Sequence, residues 1–388
     1  MITNERCPTR ETGFHSRTSE LSTDLVVYKD CWLANSYDGI GAIAEHKACR
    51  ESVIVTDLSP LRKFEIAGPD AEALLQWTTT RNVRKLAVGQ VVYTAMCLDT
   101  GGMLDEGTLA RLGQDNFRWV GGSEQSGSWL RKQAEERGLR AWVRSSTKQL
   151  CTLSVQGPKS RDVLKDVIWT PPAQPTLLEL GRFRLAIARI RDHHGIPIVI
   201  TRTGYTGELG YEVWCHRKNA VEVWDTVWKA GEPHGITPLG LEALDMLRIE
   251  SGVVASGSEY SDRTDPFEAG IGFIVQLRSK DEDFVGREAL TIRKQNPQSQ
   301  LVGLELDGHR AASGGDQVSV GNAEAGTITS GVFSPFLQKN IALCRMAVHH
   351  AEPGTQVEVG TAHGHEEQVA ATVVPLPFYE PEKKRTRS

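Results

Sequence analysis

Two adjacent carboxylates in an otherwise apolar stretch are the first candidates for chemistry. Asp105 and Glu106 follow the Gly101-Gly102 turn in the segment YTAMCLDTGGMLDE. Neighbouring side chains on a strand point to opposite faces, so one of the two must face inward or into a cleft. A buried carboxylate is costly unless it is paired or protonated. The pair therefore predicts a general acid or a ligand anchor, and a surface pair at the start of a strand is the alternative.

A second candidate lies in the segment GYTGELGYEV at residues 204–213. Its closely spaced glycines predict a tight loop between two strands, where a backbone or a ligand approaches closely. Glu212 then alternates with Tyr211 and Val213 in the following strand. One inward carboxylate can accept two parallel N–H bonds, from an arginine or from the flat, amidine-like edge of a pterin ring. The alternative is a turn followed by a solvated glutamate.

The third candidate is the segment at residues 238–250, which predicts an amphipathic helix with Leu241, Leu244 and Leu247 on one face. Ordinary surface ion pairs explain its charged residues as well as a site would. No G-x-S-x-G motif occurs, so a hydrolase elbow is not predicted. The histidines lack cysteine or carboxylate partners at metal spacing, so no metal is predicted either.

These candidates must be positioned by elements, and one pair of elements repeats. Residues 63–67 alternate apolar and polar side chains, and Gly68-Pro69 leads into a helical stretch; residues 152–156 and Gly157-Pro158 do the same. Glycine permits the sharp turn, and proline is favourable at the first helical position. A strand that leads into a helix twice predicts a duplicated α+β unit.

The rest of the chain shows two patterns of predicted secondary structure. Residues 53–59 and 196–203 predict strands, and residues 124–137 and 220–230 predict helices. After Asn296 come short strand-like segments separated by Gly, Pro or Asn, at residues 301–306, 326–330, 341–348 and 357–360. These segments are typical of a small all-β barrel or sandwich. We therefore predict domains at residues 1–292 and 293–388, joined by a linker at residues 293–299, with a flexible basic tail.

Composition excludes several classes of protein. The chain has 388 residues, of which 39% are hydrophobic and 24% charged, and its net charge is −5. This balance predicts a soluble globular protein without a nucleic-acid groove or a membrane-binding surface. No apolar run reaches the ~18 residues that span a bilayer, so we expect a cytoplasmic protein. The odd number of cysteines and the absence of C-x-x-C argue against a disulfide framework or a zinc ribbon.

Taken in order, these stretches resemble the folate-binding aminomethyltransferase family. This is the T-protein of the glycine cleavage system and its relatives, which include tetrahydrofolate-dependent demethylases. The matching motifs are Thr56-Asp57-Leu58-Ser59, Gly68-Pro69, Gly89-Gln90-x-x-Tyr93, Gly101-Gly102-x-x-Asp105-Glu106, Gln156-Gly157-Pro158, the run from Arg202 to Glu212, Leu247-Arg248-Ile249-Glu250-x-Gly252, the run from Gly326 to Gly331 and Pro377-Phe378-Tyr379. The run GYTGELGYE is the most specific of them.

The resemblance implies an α+β fold of two intertwined, ferredoxin-like lobes with a C-terminal all-β barrel. The three lobes would surround a central funnel that binds tetrahydrofolate as cofactor. Tyr205 would pack on the folate, and Glu212 would hold the amino edge of its pterin. Tyr93 would line the same funnel, and Arg248 would be a further cofactor-binding residue.

The resemblance also places Glu106 at the family's key aspartate, in an acid or positioning role with Asp105 as its backup. Where the glycine-cleavage type usually has an arginine, this chain has Leu244. These departures favour a demethylase that moves a methyl group from a small O-, S- or N-methylated compound to N5 of tetrahydrofolate. One alternative is an aminomethyltransferase that forms 5,10-methylenetetrahydrofolate and works with a carrier protein. The other is a non-catalytic folate-binding scaffold.

Overall fold

The computed structural model describes residues 9–360, 368–380 and 382–387. Its α-helices are α1 (His15–Leu21), α2 (Ala42–Glu51), α3 (Ala71–Thr78), α4 (Gln125–Glu136), α5 (Ser160–Leu164), α6 (Ala220–Gly231), α7 (Leu241–Glu250), α8 (Arg287–Gln295) and α9 (Lys384–Arg387). Short 3-10 helices occupy Val83–Lys85, Arg217–Asn219, Glu232–His234, Gly272–Ile274 and Val348–His350. None of the described helices is long and apolar enough to cross a bilayer.

The strands of the first two thirds of the chain are β1 (Leu25–Tyr28), β2 (Cys31–Ala34), β3 (Val53–Asp57), β4 (Arg62–Ala67), β5 (Val91–Cys97), β6 (Met103–Gly113), β7 (Asn116–Gly121), β8 (Trp142–Ser145), β9 (Leu150–Gln156), β10 (Ile168–Trp169), β11 (Leu185–Ile190), β12 (Pro197–Thr201), β13 (Gly210–His216) and β14 (Ile236–Pro238). The strands of the last third are β15 (Ser299–Leu306), β16 (Gln317–Val320), β17 (Ala323–Ser334), β18 (Lys339–Ala347), β19 (Gln356–Gly360) and β20 (Val369–Val374).

The described strands form two large sheets, a hairpin and a barrel. The hairpin is β1-β2, and the seven-stranded sheet has the order β10-β11-β12-β13-β9-β3-β14. The five-stranded sheet has the order β5-β6-β7-β4-β8, and β15-β18-β17-β16-β19-β20 close into a six-stranded barrel. Mixed helix-and-sheet layers followed by a C-terminal β-barrel confirm the predicted fold class.

The chain divides into two compact units that alternate along the sequence. Unit 1 contains the described residues of Met1–Leu61, Ser146–Asp245 and Lys384–Ser388, and it carries the hairpin and the seven-stranded sheet. Unit 2 contains those of Arg62–Ser145 and Met246–Lys383, and it carries the five-stranded sheet and the barrel. The domains predicted at residues 1–292 and 293–388 stay a prediction.

Each large sheet holds one copy of the repeated strand-to-helix connection. In unit 2, β4 leads through Gly68 into α3; in unit 1, β9 leads through Gly157 into α5. The two glycines have φ angles of +126° and +115°, which other residues rarely adopt. A Cβ on Gly157 would lie 2.5 Å from the carbonyl oxygen of Ser52, so the packing at this turn also requires glycine. Both predicted connections are present.

Hydrophobic clusters cover faces of the two large sheets and fill the barrel. In unit 1, Val155, Tyr211 and Val213 bury one face of the seven-stranded sheet. In unit 2, one face of the five-stranded sheet packs around Trp119, and the other packs around a cluster that includes Tyr260. The barrel encloses its own apolar core.

The predicted linker at residues 293–299 is wrong. Helix α8 continues to Gln295, and β15 begins at Ser299. Arg293 and Lys294 lie in the last turn of α8, where basic side chains interact favourably with the helix dipole. The polar composition that suggested a linker therefore belongs to an exposed helix end. Strands β16 and β20 lie in segments for which no strand was predicted.

Candidate functional site

A row of polar side chains crosses the seven-stranded sheet on the face opposite its core. The register pairs Thr56 with Ser154, Ser154 with Glu212, and Glu212 with Thr201. Directly paired residues of antiparallel strands share a face, so these four side chains lie side by side on β3, β9, β13 and β12. The Thr201 hydroxyl donates a hydrogen bond to Glu212 Oε2 at 3.5 Å. We call these four residues the polar row.

Further contacts hold the polar row in place. Trp214 Nε1 donates a hydrogen bond to Thr201 Oγ1 at 3.3 Å, and the hydroxyls of Thr201 and Thr203 lie 2.7 Å apart. Trp214 follows Glu212 by two positions on β13 and therefore shares its face. Glu212 is partly exposed, whereas Ser154 and Trp214 are buried. The row therefore presents one carboxylate flanked by hydroxyl groups.

Gln156, at the end of β9, fixes the glycine-rich loop that connects β12 to β13. Its Nε2 donates to the carbonyl oxygens of Thr203 at 3.2 Å and Tyr211 at 3.3 Å, and the Thr206 hydroxyl donates to its Oε1 at 3.3 Å. The buried amide thus ties both ends and the middle of the loop to the sheet. The loop includes Tyr205, which is partly buried.

Two of the loop glycines are required by this amide. A Cβ on Gly204 would lie 2.0 Å from Gln156 Oε1, and one on Gly210 would lie 1.9 Å from it. Contacts this short cannot be relieved without moving the amide and the backbone groups that it binds. The glycines of the GYTGELGYE segment therefore allow the loop to approach Gln156.

A buried ion pair holds the same loop from its other side. Arg50 Nη1 donates to Glu208 Oε1 at 3.1 Å and to the carbonyl oxygen of Thr206 at 2.7 Å. Arg385, in the basic tail, also donates to Glu208 Oε1, at 3.3 Å. Glu208 therefore has a structural role in holding this loop.

In unit 2, β6 directs the two adjacent carboxylates to opposite faces of the five-stranded sheet. Asp105 is fully buried on the face that holds Trp119. Its carboxylate accepts hydrogen bonds from Trp119 Nε1, Gly122 N, Ser123 N and Ser126 Oγ, at 3.2, 3.0, 3.2 and 2.6 Å. Burial raises the pKa of Asp105, and these four donors act against that shift. Asp105 thus fastens the turn between β7 and α4.

Glu106 lies on the opposite face, together with Tyr93. The register pairs Ala95 with Glu106 and Tyr93 with Thr108, so Tyr93 and Glu106 are diagonal neighbours on β5 and β6. Glu106 is partly exposed. Of the two adjacent carboxylates, Glu106 is thus the one within reach of a ligand on this face.

Two aromatic residues accompany Tyr93 and Glu106. The ring of Phe273 packs against that of Tyr93, with 6.2 Å between centroids, although Phe273 is 64% exposed. Burial, and then the charges of Glu106 and Asp105, raise the pKa of the Tyr260 phenol, which therefore stays protonated near Glu106. This face combines a carboxylate, a protonated phenol and an accessible aromatic surface.

Arg248 lies in a buried network that joins α7 to the barrel strand β17. Its Nη1 donates to Glu259 Oε2 at 2.7 Å, and its Nη2 donates to the Ser330 hydroxyl at 2.7 Å. Ser330 in turn donates to Glu259 Oε1 at 2.6 Å. Arg248 is 3% exposed, and its predicted role in cofactor binding stays a prediction. Leu244, where the family usually has arginine, is buried as well.

The structure groups the predicted residues by unit. Tyr205 and Glu212 lie in unit 1, on the loop held by Gln156 and on the strand that follows it. Tyr93 and Glu106 share one face of the unit 2 sheet. The sequence analysis missed the neighbours Thr56, Ser154, Thr201, Tyr260 and Phe273. Polar residues alternating with apolar ones at residues 152–156 carried a signal for the row.

The chemistry of these groups fits a folate. In unit 1, the carboxylate between hydroxyls can accept the paired N–H groups of a pterin. Considered by itself, the Tyr93–Phe273 pair of unit 2 can pack against a flat ring. Among the residues that the structure describes, no group of three or more His, Cys, Asp or Glu side chains could hold a metal ion.

Two family models match this chain. The GCVT N-terminal domain matches residues 14–279, and the glycine cleavage T-protein C-terminal barrel domain matches residues 300–380. The chain is 55% identical over 380 residues to a trimethylamine-oxide aldolase of Ruegeria pomeroyi, and the match covers 98% of this chain but 48% of that protein. The chain therefore spans about half the length of this relative.

Other relatives match over most of their length. An aminomethyltransferase of Symbiobacterium thermophilum is 37% identical over 353 residues, covering 88% of this chain and 90% of that protein. The crystal structure of the glycine cleavage system aminomethyltransferase T from Bartonella henselae has a TM-score of 0.85 at 23% identity. That match covers 96% of this chain and 98% of the other, so the two share a fold.

Proposed function

Because the chain belongs to the glycine cleavage T-protein family of aminomethyltransferases, we propose that it is a tetrahydrofolate-dependent one-carbon transferase, specifically a demethylase with a small N-methylated donor. Enzymes of this family bind tetrahydrofolate. The observation that carries the proposal is the polar row, in which Glu212 lies between the hydroxyl-bearing residues Ser154 and Thr201.

In this proposal Glu212 accepts the two N–H groups of the pterin's amino edge, because a carboxylate matches two parallel donors. Thr201 keeps the carboxylate in one orientation through its hydrogen bond to Oε2. Tyr205 packs on the folate from the loop that Gln156 fixes. When bound, tetrahydrofolate supplies N5, the nitrogen that accepts the one-carbon unit.

Glu106 manages the proton of the departing group. A leaving oxygen or nitrogen needs a proton or a fixed charge as its bond to carbon breaks. Glu106 is partly exposed, and the Tyr260 phenol near it is protonated, so this face can supply both a proton and a hydrogen-bond donor. Asp105 positions the strand rather than reacting, because its four donors occupy its carboxylate.

The name of the Ruegeria pomeroyi relative favours an amine oxide as donor. Transfer of a methyl group from trimethylamine N-oxide to N5 breaks one C–N bond and forms another. The products are 5-methyltetrahydrofolate and N,N-dimethylhydroxylamine, and the N5 proton moves to the hydroxylamine oxygen.

The second candidate is transfer of a one-carbon unit at the oxidation level of formaldehyde. It is favoured by the word aldolase in the name of that relative and by the aminomethyltransferase relatives. Trimethylamine N-oxide and tetrahydrofolate would then give 5,10-methylenetetrahydrofolate, dimethylamine and water. The amine product distinguishes the two candidates, because only methyl transfer leaves the oxygen on nitrogen.

A product assay tests the proposal. The purified chain is incubated without oxygen with tetrahydrofolate and trimethylamine N-oxide, and folates and amines are quantified by mass spectrometry. We expect protein-dependent product that falls at least about 100-fold in Glu106→Gln, the loss typical of a missing acid. Glu124→Gln, a change at an exposed glutamate of the same unit, should retain activity. Folate binding without product from any methylated donor would instead support the scaffold alternative.

A further inference from the structure

The segment before Val83 runs along the free edge of β5 and brings Arg81 to Tyr93. Thr80 N donates to the carbonyl oxygen of Ala95 at 3.0 Å, and Arg81 N donates to the Thr94 hydroxyl at 3.2 Å. Arg81 Nε donates to the carbonyl oxygen of Tyr93 at 3.2 Å. The guanidinium is therefore fixed beside the strand that carries Tyr93.

The guanidinium of Arg81 has no counter-charge among the described residues. Among the residues that the structure describes, no acceptor bonds to its Nη1 or Nη2 and no carboxylate pairs with it. Burial lowers the pKa of Arg81. Three residues later, Arg84 shows the usual arrangement, because it pairs with both Glu72 and Glu282. A partly buried cation without an anion is costly, and a group of this kind is a candidate for ligand binding.

The same edge also holds the exposed aromatic ring in place. Gln276 N donates to the carbonyl oxygen of Thr80 at 3.1 Å, and Asn82 N donates to Gln276 Oε1 at 2.7 Å. These bonds attach the turn that carries Phe273 to the segment that carries Arg81. One edge of the unit 2 sheet thus carries the guanidinium of Arg81, which no described carboxylate pairs with, and the aromatic pair of Tyr93 and the exposed Phe273.

We propose that Arg81 binds a carboxylate of a ligand whose aromatic ring packs against Tyr93 and Phe273, and that this ligand is the p-aminobenzoyl-glutamate part of the folate. The inference rests on the proposed function. It gives a ligand-binding role to Arg81, a residue that no sequence motif indicated. An aromatic ring joined to a carboxylate matches the two chemical features of this edge.

The test combines a change in the protein with a change in the ligand. Binding of tetrahydrofolate and of its glutamate dimethyl ester, which lacks both carboxylate charges, is measured by calorimetry for wild type and Arg81→Gln. We expect Arg81→Gln to weaken tetrahydrofolate binding about 10- to 100-fold, the loss of a charge-assisted hydrogen bond. The ester should bind the wild type about as weakly, and Arg81→Gln should weaken its binding no further.

Two further variants control for charge and folding. Arg84, three positions after Arg81, belongs to a surface ion pair. Arg84→Gln removes its positive charge and should leave tetrahydrofolate binding unchanged. Arg81→Lys keeps the charge and should retain part of the affinity. It also keeps the test decisive if Arg81→Gln fails to fold.

The contradicting outcomes are distinct. Equal loss of both ligands in Arg81→Gln, or no loss of either, overturns the inference and leaves the proposed function standing. Unchanged tetrahydrofolate affinity with a raised KM for a carboxylate-bearing donor also overturns it, and assigns Arg81 to the donor. Absence of tetrahydrofolate binding by the wild type overturns the proposed function and this inference with it.

Discussion

Asp105 and Glu106 have different environments although they are adjacent on one strand. Asp105 faces the core around Trp119 and accepts four hydrogen bonds, whereas Glu106 lies partly exposed beside Tyr93. Groups of the same chemical type take different roles when their surroundings differ in this way. The buried carboxylate stabilises the strand and the turn, whereas the proposed function gives the partly exposed one a role in proton transfer.

This difference predicts different effects of the two amide substitutions. Asp105→Asn places an amide NH₂ among four donors and should lower the free energy of unfolding by about 2–4 kcal/mol, because buried donors lose their acceptor. Glu106→Gln should destabilise the protein less than Asp105→Asn does, because the Glu106 side chain is partly exposed to water. Urea denaturation of both variants measures this. Equal destabilisation by the two would contradict the assignment.

At the scale of single residues, the sequence predicted part of the arrangement of the two adjacent carboxylates. Strand alternation showed that one of the two carboxylates must face inward, but it did not show which one. That depends on the pairing of β6 with β5 and β7, which brings Tyr93 and Trp119 from distant positions. The proposed role of Arg81 could not be derived from the sequence, because only the folded chain shows which arginines pair with the described carboxylates.

At the scale of elements, the loop between β12 and β13 depends on its contact with Gln156. Gly204→Ala should lower the free energy of unfolding by about 1–3 kcal/mol, because its Cβ would meet the buried amide. Gly181→Ala is the matched control in the same unit, since its Cβ would make an ordinary contact with the flexible Arg184 side chain. Thermal unfolding compares the two variants, and equal stability would contradict a close contact between the loop and Gln156.

Helix α3 ends on a buried lysine. The ammonium of Lys280 donates to the carbonyl oxygens of Gln76, Thr79 and Arg81, at or just beyond the C-terminus of the helix. Lys280 is fully buried, and burial lowers the pKa of its amine to about 7. The end of this helix is therefore sensitive to protonation.

The lowered pKa of Lys280 predicts a pH-dependent stability. Between about pH 7 and 10.5 the unfolded chain keeps a proton that the folded chain has released. The contribution of Lys280 to the free energy of unfolding therefore rises with pH, by up to about 1.4 kcal/mol per pH unit. Lys280→Met should remove this slope, and the exposed-site variant Lys85→Met should keep it. Denaturation curves from pH 7 to 10 measure it, and identical slopes in all three proteins would contradict the assignment.

Predictions from local sequence succeeded for elements with strong local signals. The Gly-Pro turns predicted both strand-to-helix connections, because positive φ angles at Gly68 and Gly157 leave a mark in the sequence. The predicted linker failed because polar side chains at residues 293–299 are typical of a helix end as well as of a linker. Strand β16 escaped prediction because only four residues carry its pattern.

At the scale of the whole molecule, the chain alternates between two units. It leaves unit 1 after Leu61, returns at Ser146 and leaves again after Asp245, within α7. The first two passages fall in short connections, between β3 and β4 and between β8 and β9, and the third falls within α7, so no long linker marks them in the sequence. The internal repeat predicted two related lobes, but pairing of distant strands, such as β3 with β9, decides which segments form each sheet.

The length of the relatives bears on the scope of the proposal. This chain covers 48% of the trimethylamine-oxide aldolase but 90% of an aminomethyltransferase. The folate-binding residues proposed here all lie in the shared part. Demethylation of an amine oxide by this chain is therefore the more demanding claim, and folate binding is the central one.

The most direct test of that claim is a titration of tetrahydrofolate into wild type, Glu212→Gln and the exposed-site control Glu222→Gln, followed by tryptophan fluorescence. We expect saturable binding to the wild type and the control, and binding about 10- to 100-fold weaker in Glu212→Gln, as for loss of a charged hydrogen bond. Absence of saturable binding by the wild type, or equal affinity of Glu212→Gln, would contradict the assignment of the polar row.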